Sequence, residues 1–342
     1  MIEQIQTLHQ HIFDPSRIPV AIIAILLVII GGMVRGPLGG NAMPFYWHIV
    51  EIIFGKLGAR MNKKNRPQGD LIFRGFILST LVLIWSFIVG KGLDIAAQSY
   101  PQYSAVEIIG LALTLSAGAV WAAQGRLYRA LNDKKVTPGA YFTVARSTRT
   151  DFSKSDDYTI TRVGMGMGLR AFDKAIVAPV LWYLIFGLMG AYIYAGLAAL
   201  QWIFGRDGHK AGLGKSINAL EELLGFVPNI LSGLFVALAG ILTPTAGMTR
   251  AFLGLVRFKG RAKYMEGGLP VTAAAYALNV SLGGPTQNLD GEAIQRDWVG
   301  PQKATAQLVS KHLHRAVYIS FMAHLLLMVA LGGAIFLSKN II

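Results

Sequence analysis

The chain has 342 residues, 53% of them hydrophobic and 15% charged, with no cysteine and a formal net charge of +14. Soluble domains carry about 25% charged residues, so this is the composition of a membrane protein, and the missing cysteines exclude disulfides, thiolate metal sites and cysteine nucleophiles. The basic excess, 32 Lys and Arg against 18 Asp and Glu, falls in loops flanking apolar runs, where it marks the cytoplasmic side and argues against nucleic acid as a partner.

Residues 1–16 contain Glu3 and Asp14 and have no basic lead into the first apolar run, so they do not read as a signal peptide. The first span runs from about Ile18 to Val34 and is closed by Arg35-Gly36-Pro37. Phe45 to Leu57 is amphipathic and leads into Lys56, Arg60, Lys63, Lys64 and Arg66, the pattern of an interfacial helix. The second span covers Leu71 to Val89, with Arg74 placed to snorkel, and the third covers Val106 to Ala123. Residues 124–174 are basic (Arg126, Arg129, Lys134, Lys135, Arg146, Arg149, Lys154, Arg162, Arg170) and read as a cytoplasmic loop.

Ala171 to Leu200 then forms the longest apolar run, with Pro179, Gly187, Gly190 and Gly196 inside it. About 20 apolar residues suffice to cross a bilayer. The run is therefore either one crossing or a hairpin turning at Gly187–Gly190. Gly205 to Leu224 is polar, and Phe226 to Met248 is apolar but interrupted by Pro228, Gly233, Gly240 and Pro244, which reads as a second broken or re-entrant segment. Residues 249–315 form a second basic loop, and Ala316 to Leu337 a final clean span. The expectation is an all-α polytopic bundle of five or six membrane segments, one membrane domain over residues 1–342 with cytoplasmic loops at 124–174 and 249–315. Counting each long run as one crossing gives six spans with both termini outside.

Few polar groups suggest chemistry. Gly164-Met-Gly-Met-Gly168 lacks the preceding strand and the Lys-Ser/Thr ending of a phosphate loop, so close helix packing is the simpler reading. Asp151, Asp156 and Asp157 sit among basic residues, as in a solvated charged loop. His9 and His11, and likewise His312 and His314, are two apart and share no helix face. His48 and His324 are isolated, as packed or interfacial histidines are, and no metal-ligand set emerges. Glu221-Glu222 lies on an amphipathic segment beside the membrane, where paired acids either keep a surface helix wet or hold a metal–phosphate. The spans hold almost no internal charge, which speaks against a transporter. Tyr264 to Pro285 combines Gly267-Gly-Leu-Pro270, an alanine-rich helix and Leu282-Gly-Gly-Pro285, with glycines that can offer backbone N–H groups to an anion.

The order of these motifs resembles the CobD/CbiB family, the integral-membrane adenosylcobinamide-phosphate synthases of cobalamin assembly. The likeness runs from about Gly36 to Pro301. It is carried by Val177-Ala-Pro-Val-Leu-Trp182 with Gly190 and Tyr194, by Gly267 to Pro270 and Leu282 to Pro285, and by Gly291 and Trp298-Val-Gly-Pro301. The resemblance implies a multi-pass protein of the bacterial inner membrane that ligates an aminopropanol phosphate to adenosylcobyric acid, using ATP and Mg²⁺. It implies Glu221 and Glu222 as catalytic acids, and Arg146, Arg170, Lys174, Gly267, Gly268, Pro270, Gly283 and Gly284 as substrate- or phosphate-binding positions. Its implied partners are the bilayer and a corrinoid or another membrane protein.

Several family positions differ. The family's Glu-Ser, Glu-Asn and Asp-Gly before the apolar core correspond to Gly166-Met167, Arg170-Ala171 and Lys174-Ala175, its Asn-Thr-Leu-Asp to Ala198-Ala-Leu-Gln201, and its Pro-Ala-Arg to Pro228-Asn-Ile230. Cations at 170 and 174 reverse charge where a divalent metal would sit. The expectation is therefore the family's scaffold with an altered or inactive ligase chemistry. The alternative is a non-enzymatic relative like the AmpE-type inner-membrane signalling proteins, which share the Ala-Pro-x-x-Trp core.

Overall fold

A backbone that crosses hydrocarbon must satisfy its own N–H and C=O groups, and helices do this within one segment. The computed structural model describes residues 14–63, 65–99, 104–133, 138–205, 212–289 and 291–341; His9, His11, Lys64, Lys134 and Lys135 lie outside these. The first helices are α1 (Arg17–Arg35), α2 (Phe45–Met61), α3 (Gln68–Ser99), α4 (Ser104–Thr114), α5 (Gly118–Asn132) and α6 (Pro138–Thr148). Next, α7 (Asp157–Phe172) passes through a π turn (Asp173–Val177) into α8 (Ala178–Phe204). Then come α9 (Gly212–Leu242), α10 (Met248–Val256), a 3₁₀ turn (Tyr264–Glu266), α11 (Gly268–Leu278) and α12 (Ser310–Ile341). Between α11 and α12, Leu282–Gly283 pairs antiparallel with Trp298–Val299, and Thr286–Gln287 with Ala293–Ile294.

Six helical stretches among the described residues are long and apolar enough to cross a membrane: Arg17–Arg35, Gln68–Ser99, Ser104–Asn132, Asp157–Phe204, Gly212–Leu242 and Ser310–Ser338. The molecule is an all-α, multi-pass membrane bundle. Exposed large apolar side chains stud α1 (Ile30, Met33), α3 (Phe73, Ile88) and α12 (Val329, Phe336), as lipid contact requires. Residues 188–204 of α8 are instead enclosed by protein. Small residues there allow close approach: a Cβ on Gly196 would lie within van der Waals overlap of Ser86 Oγ on α3.

The Ala171–Leu200 run is a helical hairpin, and counting it as a single crossing is wrong. Gly187 has φ 68° and ψ −158°, far from helical values. The chain folds back there, so that a Cβ on Gly190 would lie 2.5 Å from the Trp182 carbonyl oxygen. Asp94 at the end of α3 holds the turn, its two oxygens accepting from Leu188 N (2.9 Å) and Met189 N (3.0 Å), the first amides of the returning arm.

Two prolines inside this architecture each leave a carbonyl without its i+4 donor. Pro179 leaves Ala175 O, which accepts from Ser116 N at 3.1 Å. Ser116 lies in the break between α4 and α5, so the predicted single third span is two helices whose interruption caps the π turn. Pro228 leaves Leu224 O, which accepts from the Trp182 indole N–H at 3.1 Å. With that carbonyl satisfied, α9 continues unbroken through Pro228. The expected division into a polar segment to Leu224 and a broken apolar one from Phe226 is thereby corrected: both belong to one helix, and the chain leaves it only after Leu242.

Gly164 to Gly168 is helical within α7, which excludes a phosphate loop. Asp156 caps this helix, accepting from Thr159 N at 2.9 Å. His324 is a packed histidine, 3% exposed, with Nδ1 2.7 Å from Ser320 O and its ring against Trp121 and Phe172.

The Trp182–Leu224 bond yields a testable expectation. Trp182→Phe leaves a half-buried carbonyl without its donor, at a cost of about 1 kcal/mol. In a Pro228→Ala background the helix supplies the donor itself, and the same substitution costs clearly less. Thermal unfolding of the four variants in detergent measures this; equal costs in both backgrounds would refute the assignment.

Candidate functional site

The fold-back at Gly187 returns α8 alongside the π turn that precedes it. In an unbroken helix residues 174 and 201 would be about 40 Å apart; here both touch one carboxylate. Glu221 of α9, 0% exposed, accepts from Lys174 Nζ (2.7 Å), Tyr194 OH (2.8 Å) and Tyr264 OH (2.8 Å) on Oε1, and from Gln201 Nε2 (2.6 Å) on Oε2. Lys174, 5% exposed, also stands 4.1 Å from the centre of the Tyr264 ring. Burial holds the Tyr264 phenol far above its ordinary pKa, and the adjacent Glu221 charge acts in the same direction. Tyr264 is therefore a neutral donor.

The neighbouring carboxylate, Asp173, is equally occupied. It accepts from Asn229 Nδ2 and Ser232 Oγ, each at 2.7 Å. Asn229 Oδ1 in turn accepts from Leu269 N at the start of α11. Gly268 makes this contact possible, since a Cβ there would lie within 2.3 Å of Asn229 Oδ1. The Gly-Gly-Leu-Pro motif thus docks α11 onto α9.

A second polar cluster lies where α7 meets the strand-bearing segment. Arg162, Gly166, Arg170, Glu266, Gly283, Thr286 and Arg296 line one cavity. Arg162, Gly166 and Arg170 are spaced four apart and share a helix face. Burial raises the Glu266 carboxyl above its usual range against the pull of Arg296, Lys263 and Arg170. Burial also lowers the Arg296 guanidinium below its ordinary value, with Glu266 opposing.

The predicted positions therefore separate into groups. Glu221 and Lys174 meet in the interior. Arg170, Gly267 and Gly283 gather around the arginine cavity, a Cβ on Gly267 falling 2.8 Å from Arg170 Cγ. Pro270 is buried in the first turn of α11, and Gly284 packs under the Trp298 ring. Glu222 is exposed while Glu221 is buried, so the two acids face different surroundings on α9. Arg146 is exposed and donates to Gly39 O at 2.7 Å. Sequence reasoning missed Asp173, hidden beside Lys174, and missed Glu266 and Arg296 as companions of Arg170. The expectation of nearly charge-free spans also fails, because Asp173, Lys174 and Glu221 are all buried within helical stretches of the membrane bundle.

The residues present do not fit the magnesium ion that the family resemblance implies. Both oxygens of Glu221 and both of Asp173 already accept from protein donors, and an ammonium stands against Glu221. A metal would have to displace these bonds and repel Lys174. Among the described residues no group of three or more His, Asp or Glu side chains is placed to hold a metal.

Fold and site together define a polytopic membrane protein with a buried ion pair in its interior and an arginine-lined cavity. The model of the CobD/Cbib protein family matches residues 22–320, and the chain belongs to that family. It is 26% identical over 155 residues to the probable cobalamin biosynthesis protein CobD of Methanothermobacter thermautotrophicus (42% of this chain, 51% of that protein). It is 28% identical over 159 residues to the cobalamin biosynthesis protein CobD of Dehalococcoides mccartyi (46% and 50%). To the corresponding Brucella anthropi protein it is 22% identical over 274 residues (77% and 83%). The chain thus spans about half the length of the first two relatives. No solved structure matches it significantly.

Breaking one side of a buried ion pair costs about 3–5 kcal/mol, whereas removing both charges is far milder. Glu221→Gln keeps an acceptor for the tyrosines but leaves Lys174 without a counter-charge, so it lowers the unfolding midpoint in detergent sharply. Adding Lys174→Met to it restores most of the loss. A double variant as unstable as Glu221→Gln alone would show that the ion pair does not govern the interior.

Proposed function

We propose that the chain serves cobalamin biosynthesis as a membrane protein of the bacterial inner membrane that binds an intermediate or a partner of corrinoid assembly. On this reading it does not perform the magnesium-dependent amide ligation that the resemblance implies. Family membership and the names of the relatives support the pathway. The observation that carries the departure from ligase chemistry is the occupation of Glu221 and Asp173 by protein donors. The Ala178-Pro-Val-Leu-Trp182 core does not favour the signalling alternative, because this chain uses its tryptophan to satisfy the backbone of α9.

Expression in a strain lacking its own adenosylcobinamide-phosphate synthase tests this. The chain is expected not to restore growth that depends on that step, while the purified protein carries a corrinoid, visible by its absorbance, or a second cobalamin-pathway protein. Growth that is lost in Glu221→Gln and Glu222→Gln would overturn the proposal in favour of the enzyme. Copurification with a cell-wall signalling protein and no corrinoid would overturn it in favour of the AmpE-type role.

A further inference from the structure

We propose that the groove between α1, α5 and α12 is a binding site for one anionic phospholipid, with Arg126 and Arg129 on its headgroup and Trp121 and Phe321 against an acyl chain. This face of the bundle carries none of the residues discussed above for corrinoid assembly, and the inference is independent of that role.

Its polarity is graded along its length. The groove encloses about 460 Å³, enough for a ligand rather than a few waters. α5 and α12 run antiparallel beside it: Trp121 meets Phe321 with ring centres 5.3 Å apart, and Tyr128 meets His314 at 5.4 Å. With Met33 of α1, the first pair forms an apolar end; Arg126, Arg129 and His314 form the other. The seven residues between the two pairs span about 10 Å of helix. That lies within the depth of one leaflet, about 20 Å with its headgroups.

The cationic end has no counter-charge. No carboxylate lines the groove, and among the described residues no ion pair within 4 Å reaches Arg126 or Arg129. Arg126 makes no hydrogen bond among them, and Arg129 donates only to Gly125 O of its own helix, at 3.4 Å. A Cβ on Gly36 would overlap the Arg126 guanidinium, so the end of α1, with Arg35 in its last turn, lies against this cluster. Basic sites between membrane helices attract anionic headgroups, and guanidinium forks pair with their phosphate oxygens.

The apolar end is open and faces lipid. A Cβ on Gly125 would meet nothing within 4 Å, so the floor beside it is unfilled. Met33 and Phe321 are 60% and 46% exposed, on faces of α1 and α12 that also present Ile30 and Leu325. Trp121 is 7% exposed, and its indole N–H is turned to Ser320 Oγ at 3.4 Å, which leaves only its ring for an occupant. A free phosphate ion would leave this aromatic end bare. A zwitterionic lipid would bring a cation towards the arginines. An anionic phospholipid entering from the bilayer satisfies both ends.

Native mass spectrometry of the purified full chain in detergent, titrated separately with phosphatidylglycerol and phosphatidylcholine, tests this. The chain is expected to retain one phosphatidylglycerol in preference to phosphatidylcholine, and to keep it in excess inorganic phosphate. An arginine near an anionic headgroup is worth about fivefold in affinity, so Arg126→Gln combined with Arg129→Gln should weaken phosphatidylglycerol about twentyfold. Gly125→Leu should abolish retention while leaving the thermal unfolding midpoint unchanged or higher, because leucine fills open space and favours helix over glycine. Equal retention of the two lipids, displacement by phosphate, or retention undiminished in Gly125→Leu would overturn the proposal. A dimer in place of the lipid adduct, lost in Gly125→Leu, would overturn it in favour of a second copy of the chain.

Discussion

The carboxylate of Glu221 is the constraint on which the interior depends. A charge removed from water must find its partners inside the protein. Here the partners come from the π turn (Lys174), the returning arm of α8 (Tyr194, Gln201) and the 3₁₀ turn before α11 (Tyr264). Those four side chains meet only if α8 folds back, if α9 lies against both arms, and if the segment after α10 reaches into the bundle. Satisfying one oxygen pair therefore fixes the relative position of most of the central elements.

The same accounting governs the backbone. The irregularities within the membrane stretches, at 115–117, 173–177 and 187, are enclosed by protein, where bilayer-spanning chains tolerate them. Ser116 N joins the first break to the π turn, Asp94 serves the first amides of the returning arm, and the Trp182 indole likewise serves α9 at Pro228. Prolines that would break an isolated helix become fixed attachment points, because the carbonyl each one frees is bonded to a neighbour.

These two layers divide the molecule chemically. In the interior cluster every carboxylate oxygen of Glu221 and Asp173 already accepts a protein hydrogen bond, and Glu221 is paired with Lys174. The cavity at Arg170 is the reverse, rich in cations with donors left unused. Both contain positions, Lys174 and Arg170, at which the family resemblance implied an acid. At Lys174 the added cation is absorbed into an internal ion pair. At Arg170 it joins two other arginines facing a cavity.

The sequence alone determined that the chain crosses a membrane, where its main apolar runs lie and which family it belongs to. Length, hydropathy and motif order are properties of the linear chain, and lipid selects on them directly. It also narrowed the Ala171–Leu200 run to one crossing or a hairpin. It could not decide between them, because three glycines offered a turn and the Asp94 that fixes Gly187 lies on another helix. Nor could it tell Glu221 from Glu222, since adjacent helix positions differ by about 100° in direction and packing alone selects which faces inward. The continuity of α9 through Pro228 rested on Trp182, 42 residues from the carbonyl it serves. Tertiary structure decided these points because each depends on a partner distant in sequence, and in a medium without water that partner determines whether a polar group is tolerated.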